Sequence, residues 1–222
     1  MACQSLRYSP IQRWSKMFLH TIHSTRLPLI ARFASTTRTT QFTLNTGAKI
    51  PSIGFGTFQD PDSQEDGVCR ALKAGMRLID TARVYNVEKQ VGKGIRASGV
   101  PREEIFLGTK LWCNNYHPDD VERALDESLT DLDTPYVDLL MMHYPCTFAR
   151  GDDRFPRDSQ GKMILGKTTF VDTWKAMEQL VKTGKAKAIG VSNFSKGELE
   201  TLIRECSVVS QMSKKGNIRP GE

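Results

Sequence analysis

Residues 137–145 read Val-Asp-Leu-Leu-Met-Met-His-Tyr-Pro (VDLLMMHYP), a short apolar run that stops on an ionisable ring and a proline. A run of this length without alternation suits a strand buried on both faces, which is what a parallel sheet covered by helices requires. Upstream, Val121, Leu125, Leu129 and Leu132 form one helical stripe behind Pro118, Asp119 and Asp120, which suit a first turn. Before that stripe, Ile105 to Lys110 reads as a strand, Glu88 to Ser98 as a helix closed by Gly99, and Arg77 to Asp80 as another strand. Val68, Ala71 and Leu72 share a helix face that stops at Gly75, and Ile53 to Thr57 is expected as the first buried strand. A small hairpin, Phe42 to Leu44 and Lys49 to Ile50 around Asn45-Thr46-Gly47, stands in front. Downstream come a polar loop at about 146–167, a helix over Phe170 to Thr183, and a strand over Ala186 to Val191. A further helix opens on the capping box Ser195 to Glu198, with Leu199, Leu202 and Ile203 inward.

Strict alternation of strand and helix implies either an open doubly wound sheet or a closed (β/α)8 barrel. Gly54-Phe55-Gly56 lacks the third glycine of a dinucleotide fingerprint, and with the hairpin this disfavours the doubly wound option. Polar residues favour the barrel: Asp80, Lys110, His143 and the pair Ser192-Asn193 each end a different expected strand. In parallel barrels those ends surround one mouth, where the chemistry sits. The expected fold class is therefore α/β, a (β/α)8 TIM barrel.

The net charge of +6 has a local origin. Residues 1–40 hold Arg7, Arg13, Lys16, Arg26, Arg32 and Arg38 and no acid, which leaves 25 basic against 25 acidic residues in the body. A neutral body has no basic face demanded by its composition, which argues against a nucleic-acid reading. The first forty residues are Arg-rich, Ser/Thr-rich and acid-free, the composition of a mitochondrial transit segment; a basic tail on a cytoplasmic protein is the alternative. No window approaches the ~18–20 apolar residues of a membrane-spanning helix. Cys3, Cys69, Cys113, Cys146 and Cys206 form no CxxC pair and read as reduced packing thiols; His143 and Cys146 lack further ligands, so no metal site is expected.

Singly, each strand-end residue has an ordinary reading: Asp80 as a cap, Lys110 as a solvated edge, His143 as a satisfied core ring. Together with the segments around them they resemble a known family. Gly75 to Ala82 with Tyr85, Glu88, Val91 and Gly92, then Lys110-Leu111-Trp112, then His143-Tyr144-Pro145, then Lys187 to Phe194 are similar, in order and spacing, to the aldo-keto reductase family, in particular its fungal aldehyde reductase and glycerol dehydrogenase-like members.

The resemblance implies NADP(H), with NAD(H) as the alternative, and a catalytic tetrad of Asp80, Tyr85, Lys110 and His143. Tyr85 would donate the proton, Lys110 would lower its pKa, Asp80 would hold Lys110, and His143 would direct the carbonyl. Thr57, Asp80, Ser192 and Asn193 would touch the cofactor, and Phe58, Trp112, His143 and Tyr144 would line a pocket for a small carbonyl or polyol. Core packing is the competing reading of Phe58. Phe58 and Tyr144 stand where tryptophan is common in the family, Val87 replaces an asparagine, and Arg83 replaces a small residue; if Arg83 faced the site it would depress Tyr85 further.

The resemblance spans about Phe42 to Cys206, so the expected organisation is 1–40 targeting segment, 41–209 barrel part and 210–222 polar tail with neither strand nor helix periodicity. That makes about five of the eight βα units of such a barrel, and the chain is expected to be C-terminally truncated. The alternative to an active reductase, a monomer if complete, is then an inactive fragment or non-catalytic interaction protein.

Overall fold

A computed structural model describes residues 40–206 except Asn45 and Gln59, together with the backbone of Ser213–Lys214. The expected targeting segment, Cys3 and most of the polar tail lie outside the described residues. Strands β1 (Gln41–Thr43) and β2 (Lys49–Pro51) form the antiparallel hairpin. The main sheet follows in sequence order: β3 (Phe55–Gly56), β4 (Leu78–Asp80), β5 (Phe106–Leu111), β6 (Leu139–Met142), β7 (Ile189–Ser192) and β8 (Ser213–Lys214), every neighbour parallel. Helices α1 (Pro61–Lys73), α2 (Glu88–Ser98), α3 (Pro118–Leu132), α4 (Phe170–Thr183) and α5 (Lys196–Glu205) alternate with the strands. Among the described residues no helix is long and apolar enough to cross a membrane.

Local chemistry sets the helix bounds. Proline opens α1 and α3, where its missing N–H costs nothing. The Ser195 and Glu198 side chains make the expected capping box of α5, and Thr169 with Asp172 makes a second one, unforeseen, on α4. Gly184, at φ 78°, ends α4 in the left-handed region that glycine enters freely.

Strand alternation divides the core in two. Ile79, Leu107, Leu111, Leu140, Met142, Ile189 and Val191 pack against the helices. The intervening residues Phe106, Leu139, Met141 and Ala188 form a second cluster with Leu44 and Ile50 of the hairpin, which plugs the N-terminal end of the strands. The inward face therefore runs from apolar residues near the hairpin to Asp80, Lys110, His143 and Ser192 at the other end.

Two expectations are corrected. The first strand is two residues long, and Ile53 is 64% exposed: this strand has a single partner, and its alternate glycines offer little side chain to pack. In the tail, Ser213–Lys214 pairs with β7 despite lacking strand periodicity, because the free edge of β7 supplies the hydrogen-bonding template. The 146–167 loop carries two antiparallel bridges, Phe148 to Leu165 and Arg157 to Met163, so it folds back on itself.

Candidate active site

Register gathers the polar strand ends. Asp80 lies opposite Gly56 and Gly108 in the sheet, Lys110 opposite Met141, and Met142 opposite Val191. Gly108 keeps the interior open between Asp80 and Met141, whose side chains a Cβ there would touch at 3.7 Å. Lys110, 2% exposed, extends into that space. Its Nζ donates to both Asp80 carboxylate oxygens at 3.0 Å and to the Thr81 carbonyl at 2.8 Å. Its three N–H donors thus meet three acceptors, the arrangement a buried ammonium needs.

Tyr85 is carried by a 3-10 turn, Arg83–Tyr85, directly after β4. The Lys110 ammonium lies 5.1 Å from its ring centroid. His143 stands edge-on to Tyr85 at 5.5 Å between centroids. Asp80, Tyr85, Lys110 and His143 thus form one contiguous cluster.

The expected pocket wall surrounds this cluster. Trp112 packs edge-on to His143 at 5.2 Å, and Tyr144 stacks on His143 at 5.2 Å. Phe58, 64% exposed, meets Tyr85 edge-on at 5.0 Å; it is a rim residue, which removes the core-packing reading. Two aromatics escaped the sequence reading: Phe148 and Phe155, at 5.8 and 5.5 Å from Trp112. Both sit in the irregular loop, where no periodicity marks a facing direction. The indole Nε1 of Trp112 donates to the Arg154 carbonyl of the same loop at 2.7 Å.

On the other flank, Asn193 Nδ2 donates to the His143 carbonyl at 2.8 Å and to Ser192 Oγ at 3.1 Å, and Asn193 itself has φ 62°. Thr57 is fully buried, its N–H and Oγ donating to the Asp80 carbonyl at 3.1 and 3.3 Å. Of the residues expected at a cofactor, Asp80 belongs to the cluster and Thr57, Ser192 and Asn193 adjoin it.

One electrostatic expectation, a lowered Tyr85 pKa, is not met. The Tyr85 phenol is pushed up to about 12, by burial first and then by the negative fields of Asp80 and Tyr144. Asp80 holds both its oxygens on the Lys110 ammonium, and that ammonium does not outweigh burial and the two negative groups. Arg83 faces away from the site. Its guanidinium bonds Glu127 at 2.9 Å, Asp131 at 2.5 Å and buried Glu88 at 3.3 Å. Burial pulls that guanidinium down, but the carboxylates outweigh it and its pKa is raised. Glu88 also accepts from Thr109 at 2.7 Å and Ser128 at 3.1 Å, tying the turn that carries Tyr85 to α3 and β5.

Known proteins share the sequence pattern and the fold of this chain. The sequence pattern of the Aldo/keto reductase family matches residues 45–219. Aldo-keto reductase family 1 member A1 of Xenopus tropicalis is 48% identical over 172 residues, covering 75% of this chain and 53% of the relative. Glycerol 2-dehydrogenase (NADP(+)) of Saccharomyces cerevisiae is 47% identical over 169 residues, covering 72% and 54%. The structure of the aldose reductase from Schistosoma japonicum superposes with a TM-score of 0.75 at 36% identity, covering 77% of this chain and 58% of that one. The chain spans about half the length of the curated relatives it matches. Its parallel strands are those of the reductase barrel over part of its length, and the chain belongs to the aldo/keto reductase family.

Proposed function

We propose that this chain carries the carbonyl-reducing site of an NADP(H)-dependent reductase that turns small aldehydes or ketones into alcohols, or runs in reverse on glycerol-type polyols. One observation carries the reading: the buried Lys110–Asp80 pair beside the Tyr85 ring, with His143 edge-on to the same ring. The cofactor and the polyol class are drawn from the yeast relative's name.

The donor set fits a nicotinamide nucleotide. Asn193 spends its Nδ2 within the protein, which leaves its amide oxygen to accept from a carboxamide. Ser192 Oγ and the Asp80 carboxylate add polar groups for carboxamide and ribose hydroxyls. When bound, the nicotinamide supplies the hydride.

Reduction builds negative charge on the carbonyl oxygen, and a positioned proton donor relieves it. Tyr85 keeps its proton far above neutral pH, so it stands ready as that donor. The phenolate left behind lies beside the Lys110 ammonium. His143, wedged between Tyr85, Trp112 and Tyr144, is held where it can direct the oxygen toward Tyr85. Phe58, Trp112 and Tyr144 would exclude water from the reacting atoms.

The test is to purify the chain and follow NADPH consumption with glyceraldehyde. Tyr85→Phe should lower turnover by ~100-fold or more, the scale of a lost general acid, with circular dichroism unchanged. Equal turnover in the variant would overturn the role of Tyr85. A folded chain that binds NADPH without turnover would replace the enzymatic reading with a non-catalytic one.

A further inference from the structure

The Cys113 and Cys146 sulfurs lie 3.9 Å apart, one buried and one exposed, in the loops that follow β5 and β6. We propose that this pair is a peroxide-driven disulfide site at the wall of the rim.

A disulfide needs ~2.05 Å between sulfurs, so the gap to close is about 2 Å, within reach of a side-chain rotation at exposed Cys146. The backbone is already prepared for it. Phe148 donates its N–H to the Cys113 carbonyl at 3.0 Å. The Tyr116 hydroxyl bridges the same two loops, donating to the Tyr144 carbonyl at 2.9 Å and accepting from the Tyr144 N–H at 3.1 Å. Residues 33 positions apart in sequence are therefore held as neighbours before any bond forms, which removes most of the entropic cost of their encounter. Cys69 stands on α1 and Cys206 at the end of α5, outside the two loops that hold the pair.

The chemistry runs in two balanced steps. The Cys146 thiolate attacks one oxygen of hydrogen peroxide; the O–O bond breaks, hydroxide leaves and takes up a proton, and Cys146 becomes a sulfenic acid. Cys113 then loses its proton and attacks that sulfur; the S–O bond breaks, water leaves, and the disulfide remains. Two thiols and one peroxide give one disulfide and two waters. Burial and the neighbouring Cys146 hold the Cys113 thiol well above its ordinary range, so the second step is the slow one and quickens as pH rises.

Placement gives the bond a consequence. Cys113 directly follows Trp112, whose ring packs on His143, Tyr144 and Phe148. Drawing the two loops together shifts that wall; its effect on substrate rests on the function proposed above, whereas the bond itself does not.

The test treats the full chain with hydrogen peroxide, quenches with an alkylating agent after unfolding, and maps the peptides by mass spectrometry. The expected result is a linked Cys113 and Cys146 peptide, reversed by dithiothreitol, forming faster at higher pH. Cys146→Ser should abolish the link, and Cys113→Ala should leave a sulfenic acid on Cys146 that dimedone traps. Cys146 driven to sulfinic acid while Cys113 stays alkylatable would overturn the proposal, as would linkage through Cys69 or Cys206. Because the readout is a covalent bond, absence of reductase turnover has no bearing on it.

Discussion

At Tyr85 the chemistry of one hydroxyl turns on how its neighbours pair with each other. A free ammonium beside a phenol depresses it; an ammonium already neutralised by a carboxylate leaves burial in control. Burial, then Asp80 and Tyr144, raise the group from its ordinary value of 10.0 to about 12. The neutral form is therefore the one the fold favours. Its contribution to stability is complete below about pH 10, the unfolded value, and is lost as pH rises toward 12. A difference titration of phenolate absorbance between the parent and Tyr85→Phe should show one ionisation missing from the variant, centred near pH 12. A missing transition centred near neutral pH would instead mean that Lys110 dominates. The sequence located Asp80, Lys110 and His143 because each stands at or beside the end of a strand, whereas Tyr85, on the turn after β4, came from the family resemblance alone. It gave no access to the direction of the shift, which depends on the Lys110 to Asp80 distances, nor to Arg83, whose three carboxylate partners come from α2 and α3.

Among the elements, α2 shows what its glycines are for. Glycine inside a helix costs about 1 kcal/mol relative to alanine, and α2 has two, Gly92 and Gly94. A Cβ on Gly92 would run into the Leu132 carbonyl at the end of α3, and one on Gly94 would sit 2.6 Å from the Glu65 carbonyl of α1. The helix is thus packed backbone to backbone on both sides. Gly92→Ala should destabilise the fold by ~1–3 kcal/mol through overpacking, read as a lower urea midpoint with unchanged slope. A rise in the midpoint would mean that α2 and α3 part without cost. The bounds of α2 and α4 were legible because caps and stripes are local signals. The limits of β3 and the pairing of Ser213–Lys214 were not, since an edge pairs according to its neighbour's hydrogen-bonding groups rather than its own side chains.

Across the whole molecule, charge is divided by position rather than spread. The first forty residues carry six cations and no acid, and the rest of the chain balances its signs. A reductase site of the kind proposed gains nothing from a cationic leader, because its groups lie at the strand ends between Asp80 and Asn193. Residues 1–39 lie outside the described structure, and their Arg-rich, Ser/Thr-rich, acid-free composition is that of a mitochondrial transit segment. We infer that this segment is an address. Residues 1–40 fused to a fluorescent reporter should bring it into mitochondria, and replacing Arg7, Arg13 and Lys16 by glutamine should release it to the cytosol. The unsubstituted fusion spread evenly through the cytosol would sink the idea, and the +6 charge would then need a reason in the body's surroundings rather than in its route.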